Sequence, residues 1–428
     1  MSNPQPYAFF VGIDWANEKH EISVVDAQGR ASSCTIDHST EAIDAFVSDL
    51  LNKANGLPIA IILEQSKGSL IHALMLRDNV VLFPVNPKQF SSYRESFRTT
   101  KAKSDKDDAL LLARMLFERH REMNAWKPDD ESTRLLNRLC STRRKWVEQR
   151  TSLGQRLLDL VKSYFPAILL IANSKLYDHP LLLEILRKWP DPREIKRVNP
   201  KVLIALIAHH GIKNEAQQQA IVDGLRNAPI HSRDSTLLLV ASLEVKALVQ
   251  QLASCQELIT QLDKDIKAAL AKHTDALLFT TLRGAGPALA PRLLTAFGTD
   301  RTRFKNAEEM ASYVGVAPVT KQSGKSCIVV RRRACNKYLL QTFHEFASAA
   351  AKWCPWSKAY YKLQHSRGMK RHAILRKLAY RWIRILFRVW QTRIPYDQNR
   401  YIQSLLAKNP DIRSFLPSQN PEKTAQLA

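Results

Sequence analysis

The sequence predicts a mixed α/β domain at its start, a helical middle with a coiled-coil seam, and an α-rich region towards its end. Three observations carry this prediction. Short β-rich runs alternate with helical patterns over residues 7–90, long amphipathic stretches dominate beyond residue 104, and a heptad spacing is sustained over residues 245–269. A chain of 428 residues has room for roughly two to four domains.

YAFFVGID, HEISVVDA and SSCTIDH read as three successive strands, with turns at Ala16-Asn17 and Gln28-Gly29. Residues 40–54 carry apolar positions at helical spacing with acids in the first turn. PIAIILEQ is a short, almost wholly apolar run suited to a buried central strand. A helix around 68–78 and the strand VVLFPVN follow. A three-strand meander followed by helix, strand, helix and strand is compatible with the ribonuclease H topology.

From Ser104 the pattern is helical. DKDDALLLARMLFERH forms one amphipathic helix, and the stretch from Glu131 reads as a single long helix stopped by Pro166. Val245, Leu248, Leu252, Cys255, Ile259, Leu262, Ile266 and Ala269 form an a/d seam, which pairs either with the first long helix or with a second copy of the chain. The expected domains are therefore 1–125 (α/β), 126–277 (helical and coiled-coil, with an insertion at about 166–235 that carries no legible motif), and 278–392 (α-rich). Residues 393–428, rich in polar side chains and Pro, read as a poorly ordered tail.

The chain carries 64 Lys and Arg against 40 Asp and Glu, a formal charge of +24. The excess is concentrated: between Lys321 and Trp390 stand 17 basic residues and one acid, Glu345. A one-sign block of this length calls for a polyanionic partner. RKLAYRWIRILFRVW (376–390) interleaves Arg with aromatic residues, which suits phosphate contact and base stacking, although Trp382, Leu386 and Trp390 fall on the face of a helix core. A basic amphipathic helix also suits an anionic membrane. The excess begins upstream at Arg331, Arg332 and Arg333, which favours nucleic acid. No apolar run reads as long enough to cross a membrane, and the first ten residues lack the features of a signal peptide. Six cysteines form no CxxC pair, so neither a disulfide framework nor a zinc site is expected, and a cytoplasmic location follows. His209, His210, His344, His365 and His372 lack metal-ligand spacing and read as surface or packing residues.

Four carboxylates stand at chemically telling places. Asp14 ends the first strand and Glu64 ends the apolar run PIAIILE, so adjacent central strands would bring both acids to one sheet edge. Asp105 and Asp108 are i, i+3 on one helix face, with Asp107 pointing away. Carboxylates crowded in this way need a counter-charge, and Mg²⁺ fits oxygen donors, two ions being the arrangement that clamps a phosphodiester in transfer. A turn-forming role for Asp14 and a helix-dipole role for Asp105 and Asp108 remain the plainer alternatives.

GIDWANEKHEISVVD, ILEQSKG, VNPKQF and KSDKDDALLLARM resemble, in order and spacing, the RuvC-like, ribonuclease H-like domain of the DEDD transposases of insertion sequences, recombinases guided by a bridge RNA. LRGAGPALAPRLLTAFGTDRTRFKNAEEMASYVGVAPVTKQSGKS resembles the second, serine-containing transposase domain of that family. The resemblance covers roughly 7–115 and 278–390. It implies Asp14, Glu64, Asp105 and Asp108 as the metal-binding tetrad, and Ser323 as the catalytic serine that forms a covalent phosphoserine link to DNA. It also implies a homo-oligomer, dimer or tetramer, in which acids and serine come from different copies, together with DNA ends, a target and a guide RNA as partners. The a/d seam gives a separate reason to expect the oligomer.

On residues alone, the serine of Gln-Ser-Gly is more often a turn residue, and only the resemblance reverses that reading; Ser326, three residues on, is its rival. Lys321 and Lys325 flank it and could hold a scissile phosphate, with Lys337, Arg376, Arg381 and Arg384 extending the basic surface. Gly284 and Gly286 resemble half of a helix-hairpin-helix, whose backbone N–H groups grip phosphate, although a plain turn between helices fits as well. Two other functions compete: a RuvC-like metal-dependent nuclease that resolves junctions without a covalent intermediate, and a non-catalytic nucleic-acid-binding derivative.

Overall fold

The computed structural model describes residues 6–64, 68–97, 104–171, 179–324, 326–333 and 335–416, which fall into two compact units divided between Asp130 and Glu131.

The first unit is built on a five-stranded sheet. Its strands are β1 (Phe9–Asp14), β2 (Lys19–Asp26), β3 (Ala31–Asp37), β4 (Ile59–Leu63) and β5 (Val80–Pro84), in the order β3-β2-β1-β4-β5. β1, β2 and β3 pair antiparallel, whereas β1, β4 and β5 run parallel. The all-apolar β4 is buried on both faces, as a central parallel strand must be. Alternation then sorts the side chains. Val11, Ile13, Ile59, Ile61 and Leu63 enter one core with α1 (Thr40–Lys53) and α2 (Ser69–Leu74). Phe10, Ala60 and Ile62 enter the other with α3 (Pro87–Phe97) and α4 (Asp105–Arg119). This mixed α/β sheet with helices on both faces is consistent with the ribonuclease H-like domain expected from the sequence. α3 is an element the sequence reading did not identify.

The second unit begins with α5 (Glu131–Tyr164), which pairs antiparallel with α10 (Ser235–Ala271). Arg143 reaches Asp263, Arg150 reaches Gln256 and Arg156 reaches Glu244 across the pair. Of the predicted seam, Val245, Leu248, Leu252, Cys255, Ile259, Leu262 and Ile266 are buried. The seam is spent on α5 and on the helices at its tip, within the chain. Of the two pairings expected for it, the one with the first long helix is formed. α10 also carries an apolar window long enough, by composition, for a membrane span, which the sequence reading passed over. Its buried seam and its Glu244 and Lys246 match a helix packed in a hairpin.

Residues 166–171 and 179–234 cap the tip of this hairpin with a 3-10 turn (Pro166–Leu170) and α6 (Pro180–Lys188), α7 (Pro192–Arg197), α8 (Pro200–His209) and α9 (Glu215–Asn227), around a core shared with Leu157 and Val161 of α5 and Leu238, Val245 and Leu252 of α10. Proline occupies the first turn of α6, α7 and α8, and Asp191 and Asn199 cap the last two, so the local chemistry starts each helix.

The remainder is α11 (Ala276–Thr280), α12 (Gly286–Phe297), α13 (Ala307–Val314), a hairpin of β6 (Val319–Ser323) and β7 (Ser326–Val330), and then α14 (Lys337–Trp353), α15 (Pro355–Ser366), α16 (Arg371–Thr392) and α17 (Gln398–Lys408). Trp382, Leu386 and Trp390 are fully buried, as their spacing predicts. The hairpin is an addition to the α-rich expectation. The tail expectation is corrected for 393–416: α17 and a following 3-10 turn form there, and Leu405 and Ile412 are buried in the main core. Residues 417–428 lie outside the described residues.

Candidate functional site

The sheet register brings Asp14 and Glu64 together. β1 and β4 are parallel neighbours with Ile13 opposite Leu63, so Asp14 and Glu64 occupy the next step at the carboxyl ends of adjacent strands. Phe10 and Gly12 share Asp14's face of β1, and Ala60 and Ile62 share that of Glu64 on β4 by the same alternation. Both acids therefore project towards the side covered by α4, and both are half-buried.

The packing of α4 brings the other two acids to the same edge. Phe10 meets Phe117 edge-to-face, with centroids 5.2 Å apart. Two residues along, Gly12 lies against Ala109 and Ala113. α4 thus runs antiparallel to β1, and its first turn, holding Asp105 and Asp108, comes abreast of Asp14. Gly12 is what allows this approach: a Cβ there would collide with the Ala109 carbonyl and the Ala113 amide and sit 2.9 Å from Leu112 Cβ.

Asp108 is 3% exposed. Its Oδ2 accepts a 2.9 Å hydrogen bond from Arg94 of α3, while its Oδ1 is buried without a partner. Asp105 and Asp107 are exposed on the same turn. Arg94 is a site residue that sequence reasoning missed. A lone Arg in a polar segment gives no signal until α3 is seen to lie over α4.

Oxygen-only donors at one sheet edge, with an orphaned buried carboxylate oxygen among them, are the donor chemistry a hard cation such as Mg²⁺ takes. Among the described residues, however, no three His, Cys, Asp or Glu side chains are gathered closely enough to hold an ion as they stand. Residues 65–67 and 98–103, which adjoin Glu64 and precede Asp105, lie outside the described residues.

In the second unit, Ser323 closes β6 and pairs directly with Ser326, the first residue of β7. Gly324, at φ +54°, makes the tight turn between them. Ser323, Ser326 and Lys321 are exposed, and Lys325 lies outside the described residues. Ile328 and Val329 on β7 are 58% and 64% exposed, so the hairpin presents apolar as well as polar side chains to its surroundings.

The basic residues fall into two kinds. Arg331, Arg333, Lys337 and Arg384 are exposed, with Lys337 donating to the Arg333 carbonyl and Arg384 lying 3.9 Å from Glu308; Arg332 and Arg376 are half-buried. Arg381, also half-buried, stacks over the Tyr360 ring at 4.5 Å and is spent on packing. Gly284 and Gly286 differ likewise. A Cβ on Gly284 would sit 2.9 Å from the backbone of α14, so this glycine permits close packing, whereas Gly286 is exposed at the uncapped start of α12. His210 bonds Glu184 at 2.7 Å, as a packing residue would. His344 and His372, read from sequence as surface or packing residues, stack on each other.

Comparison with known proteins places this arrangement among the enzymes of DNA transposition. A family profile described as transposase, of the DEDD type, matches residues 11–166, and a second, described as transposase of the IS116/IS110/IS902 family, matches residues 276–362. The “Mini-circle putative transposase for IS117” of Streptomyces coelicolor is 29% identical over 412 residues, covering 93% of this chain and 97% of that protein. A 43.6 kDa protein of the insertion element IS110, also from S. coelicolor, is 26% identical over 67% of this chain and 70% of its own length. A 44.8 kDa protein of IS116 from Streptomyces clavuligerus is 24% identical, with 88% and 93% covered. With both profiles in order and the full-length relatives in agreement, the chain belongs to the IS110-type family of insertion-sequence transposases. The first profile spans all four acids of the sheet edge, and the second spans the serine hairpin.

Proposed function

We propose that this transposase cleaves and rejoins DNA through a phosphoserine intermediate, with Asp14, Glu64, Asp105 and Asp108 holding Mg²⁺ and Ser323 as the nucleophile. The observation that supports the reading is where the acids stand: Asp14 and Glu64 at adjacent strand ends on one face, and Asp105 and Asp108 in the first turn of the helix that covers that face.

A divalent cation bound to these oxygens would neutralise the carboxylates and polarise the scissile phosphate. Arg94 holds Asp108 in place through one oxygen and leaves the other for that duty. Ser323 attacks phosphorus through Oγ. The Oγ–P bond forms as the bond to one DNA strand end breaks, the serine proton passes to water or a carboxylate, and the departing oxygen takes a proton. The phosphodiester energy stays in the enzyme–DNA bond, so a second strand end can reverse the step without an external energy source. Exposure of Ser323, Gly324 and Ser326 supports this role, since a nucleophile that must enter a DNA backbone needs to project. The basic segment from Lys321 to Trp390 supplies sequence-independent phosphate contacts. Selection of element and target by a structured guide RNA rests on the family resemblance of the motif blocks.

The test is cleavage of labelled element and target DNA in Mg²⁺, with the protein expressed beside its flanking element DNA so that any guide is present. Asp14→Asn should lower cleavage by about 100-fold or more while leaving DNA binding in place. Cleavage retained in Asp14→Asn would remove the acids from the reaction.

A further inference from the structure

His344 of α14 and His372 in the first turn of α16 stack with centroids 5.3 Å apart and planes 27° apart, and Nδ1 of His372 lies 3.4 Å from Nε2 of His344. Around them stand Arg331, which follows β7 directly, and Arg371 and Arg376 of α16. Burial first, and then His372, Arg376, Arg331 and Arg371, hold the proton affinity of His344 below that of a free imidazole. Arg376 is itself disfavoured by burial and by Arg331.

Among the described residues, no carboxylate is hydrogen-bonded or ion-paired to this group. Glu345, beside His344 in sequence, is held by Arg292 of α12 at 2.6 Å and by Gln341 at 2.8 Å. Glu308 of α13 lies by Arg384, and no hydrogen bond or ion pair from α15 reaches His344 among the described residues. Lys370 caps α16 without a side-chain bond, so the uncapped N-terminus of a 22-residue helix opens onto the same place. Three guanidiniums and two imidazoles gathered without an acid make a surface whose missing member is an anion.

We propose that His344 and His372, with Arg331, Arg371 and Arg376, form a proton-linked clamp for a backbone phosphate of DNA, closing on it with uptake of a proton from solvent. This inference rests on the transposase reading. DNA is the source favoured over RNA because Arg331 continues the strand that carries the serine hairpin. Five residue steps of extended chain separate it from Ser326, about 17 Å, or about five base steps of duplex. The clamp would then hold the strand a few nucleotides from the phosphate under attack.

A phosphate placed among the guanidiniums reverses the field at His344, so the bound state carries more protons than the free one. Binding must then strengthen as pH falls, by up to about tenfold per pH unit for each proton taken up. The test is the Kd of the full chain for element-end duplex, at constant ionic strength, from pH ~8 to ~5.5, across the imidazole range. Proton uptake is read independently by calorimetry of the wild-type protein in buffers of different ionisation enthalpy. The expected result is uptake of about one proton at the steepest point and loss of the low-pH gain in the His344→Gln, His372→Gln double variant. Arg371→Gln should weaken binding at every pH and lower the salt slope by about one. Binding without proton uptake, or a pH dependence that survives in the double variant, overturns the clamp and leaves the transposase reading standing. Proton uptake with a structured RNA but not with duplex DNA overturns the choice of DNA. No DNA binding at any pH overturns both.

Discussion

Arg94 donates to one oxygen of Asp108 at 2.9 Å, and the second oxygen of that carboxylate is buried without a partner. A carboxylate so placed is half compensated: the guanidinium balances its charge, while one lone-pair set awaits a donor or a cation. Removing Arg94 would leave a buried charge that a cation alone can balance. Arg94→Met should therefore destabilise the protein by roughly 1–3 kcal/mol in chelator, and Mg²⁺ should restore more of the melting temperature than it adds to wild type. Thermal unfolding with and without Mg²⁺ checks this, and equal responses in the two proteins would count against Asp108 as a ligand.

Gly12 sets how close α4 comes to β1, and hence how near Asp105 and Asp108 come to Asp14. Gly12→Ala forces a methyl group into the backbone of α4. The expected cost is about 1–3 kcal/mol by denaturant unfolding, together with loss of cleavage that exceeds the loss of stability, because the acids move apart. A variant of wild-type activity would show that the approach of α4 is not what assembles the site.

The a/d seam is buried within the chain, so its truncation should cost stability and leave assembly alone. Leu252→Ala and Ile259→Ala should each destabilise by about 2–5 kcal/mol. Their effect on mass in solution, read by light scattering, should be nil at temperatures where the fold persists. Conversion of an oligomer to a folded monomer by either change would restore the seam as an interface between copies.

Glu184 of α6 gives the pH dependence its sign. Hydrogen bonds from Lys188 and His210 hold its carboxyl down at about 2. A depressed carboxyl contributes stability that is fully present above its unfolded value of about 4.3 and is lost as pH falls towards its folded value. The denaturant midpoint of wild type should therefore fall between pH ~4.5 and ~2 more steeply than that of Glu184→Gln, which has no proton to gain.

The sheet was legible because burial wrote itself into composition. A strand covered on both faces reads as the apolar run IAIIL, and its neighbours FFVGID and VVLFP read as short β-rich runs of the same kind. Glu64 stood out because Glu is disfavoured directly after such a strand, whereas Asp14 suits a turn and Asp105 and Asp108 suit a helix start as well. What stayed hidden depended on distance in space. Arg94 becomes a partner of Asp108 only once α3 lies over α4. His344 and His372 stand 28 positions apart on different helices, and only the packing of α14 on α16 stacks them. The seam itself was read correctly, but its periodicity cannot say which helix answers it. The tail misled because α17 and the 3-10 turn after it are each held by one buried apolar residue, Leu405 and Ile412, against a polar background that reads as loop.

The central claim is that a serine of the second unit carries the DNA strand while the acids of the first enable the transfer. Its most direct measurement is the covalent adduct itself. Protein co-expressed with its element DNA is incubated with labelled element and target in Mg²⁺ and tested for an SDS-stable, protease-sensitive complex, with Ser323→Ala, Ser326→Ala and Asp14→Asn alongside. The account predicts an adduct in wild type and in Ser326→Ala, and none in Ser323→Ala or Asp14→Asn. Cleavage that proceeds without an adduct, and equally well in Ser323→Ala, would contradict it and leave a hydrolytic nuclease in its place.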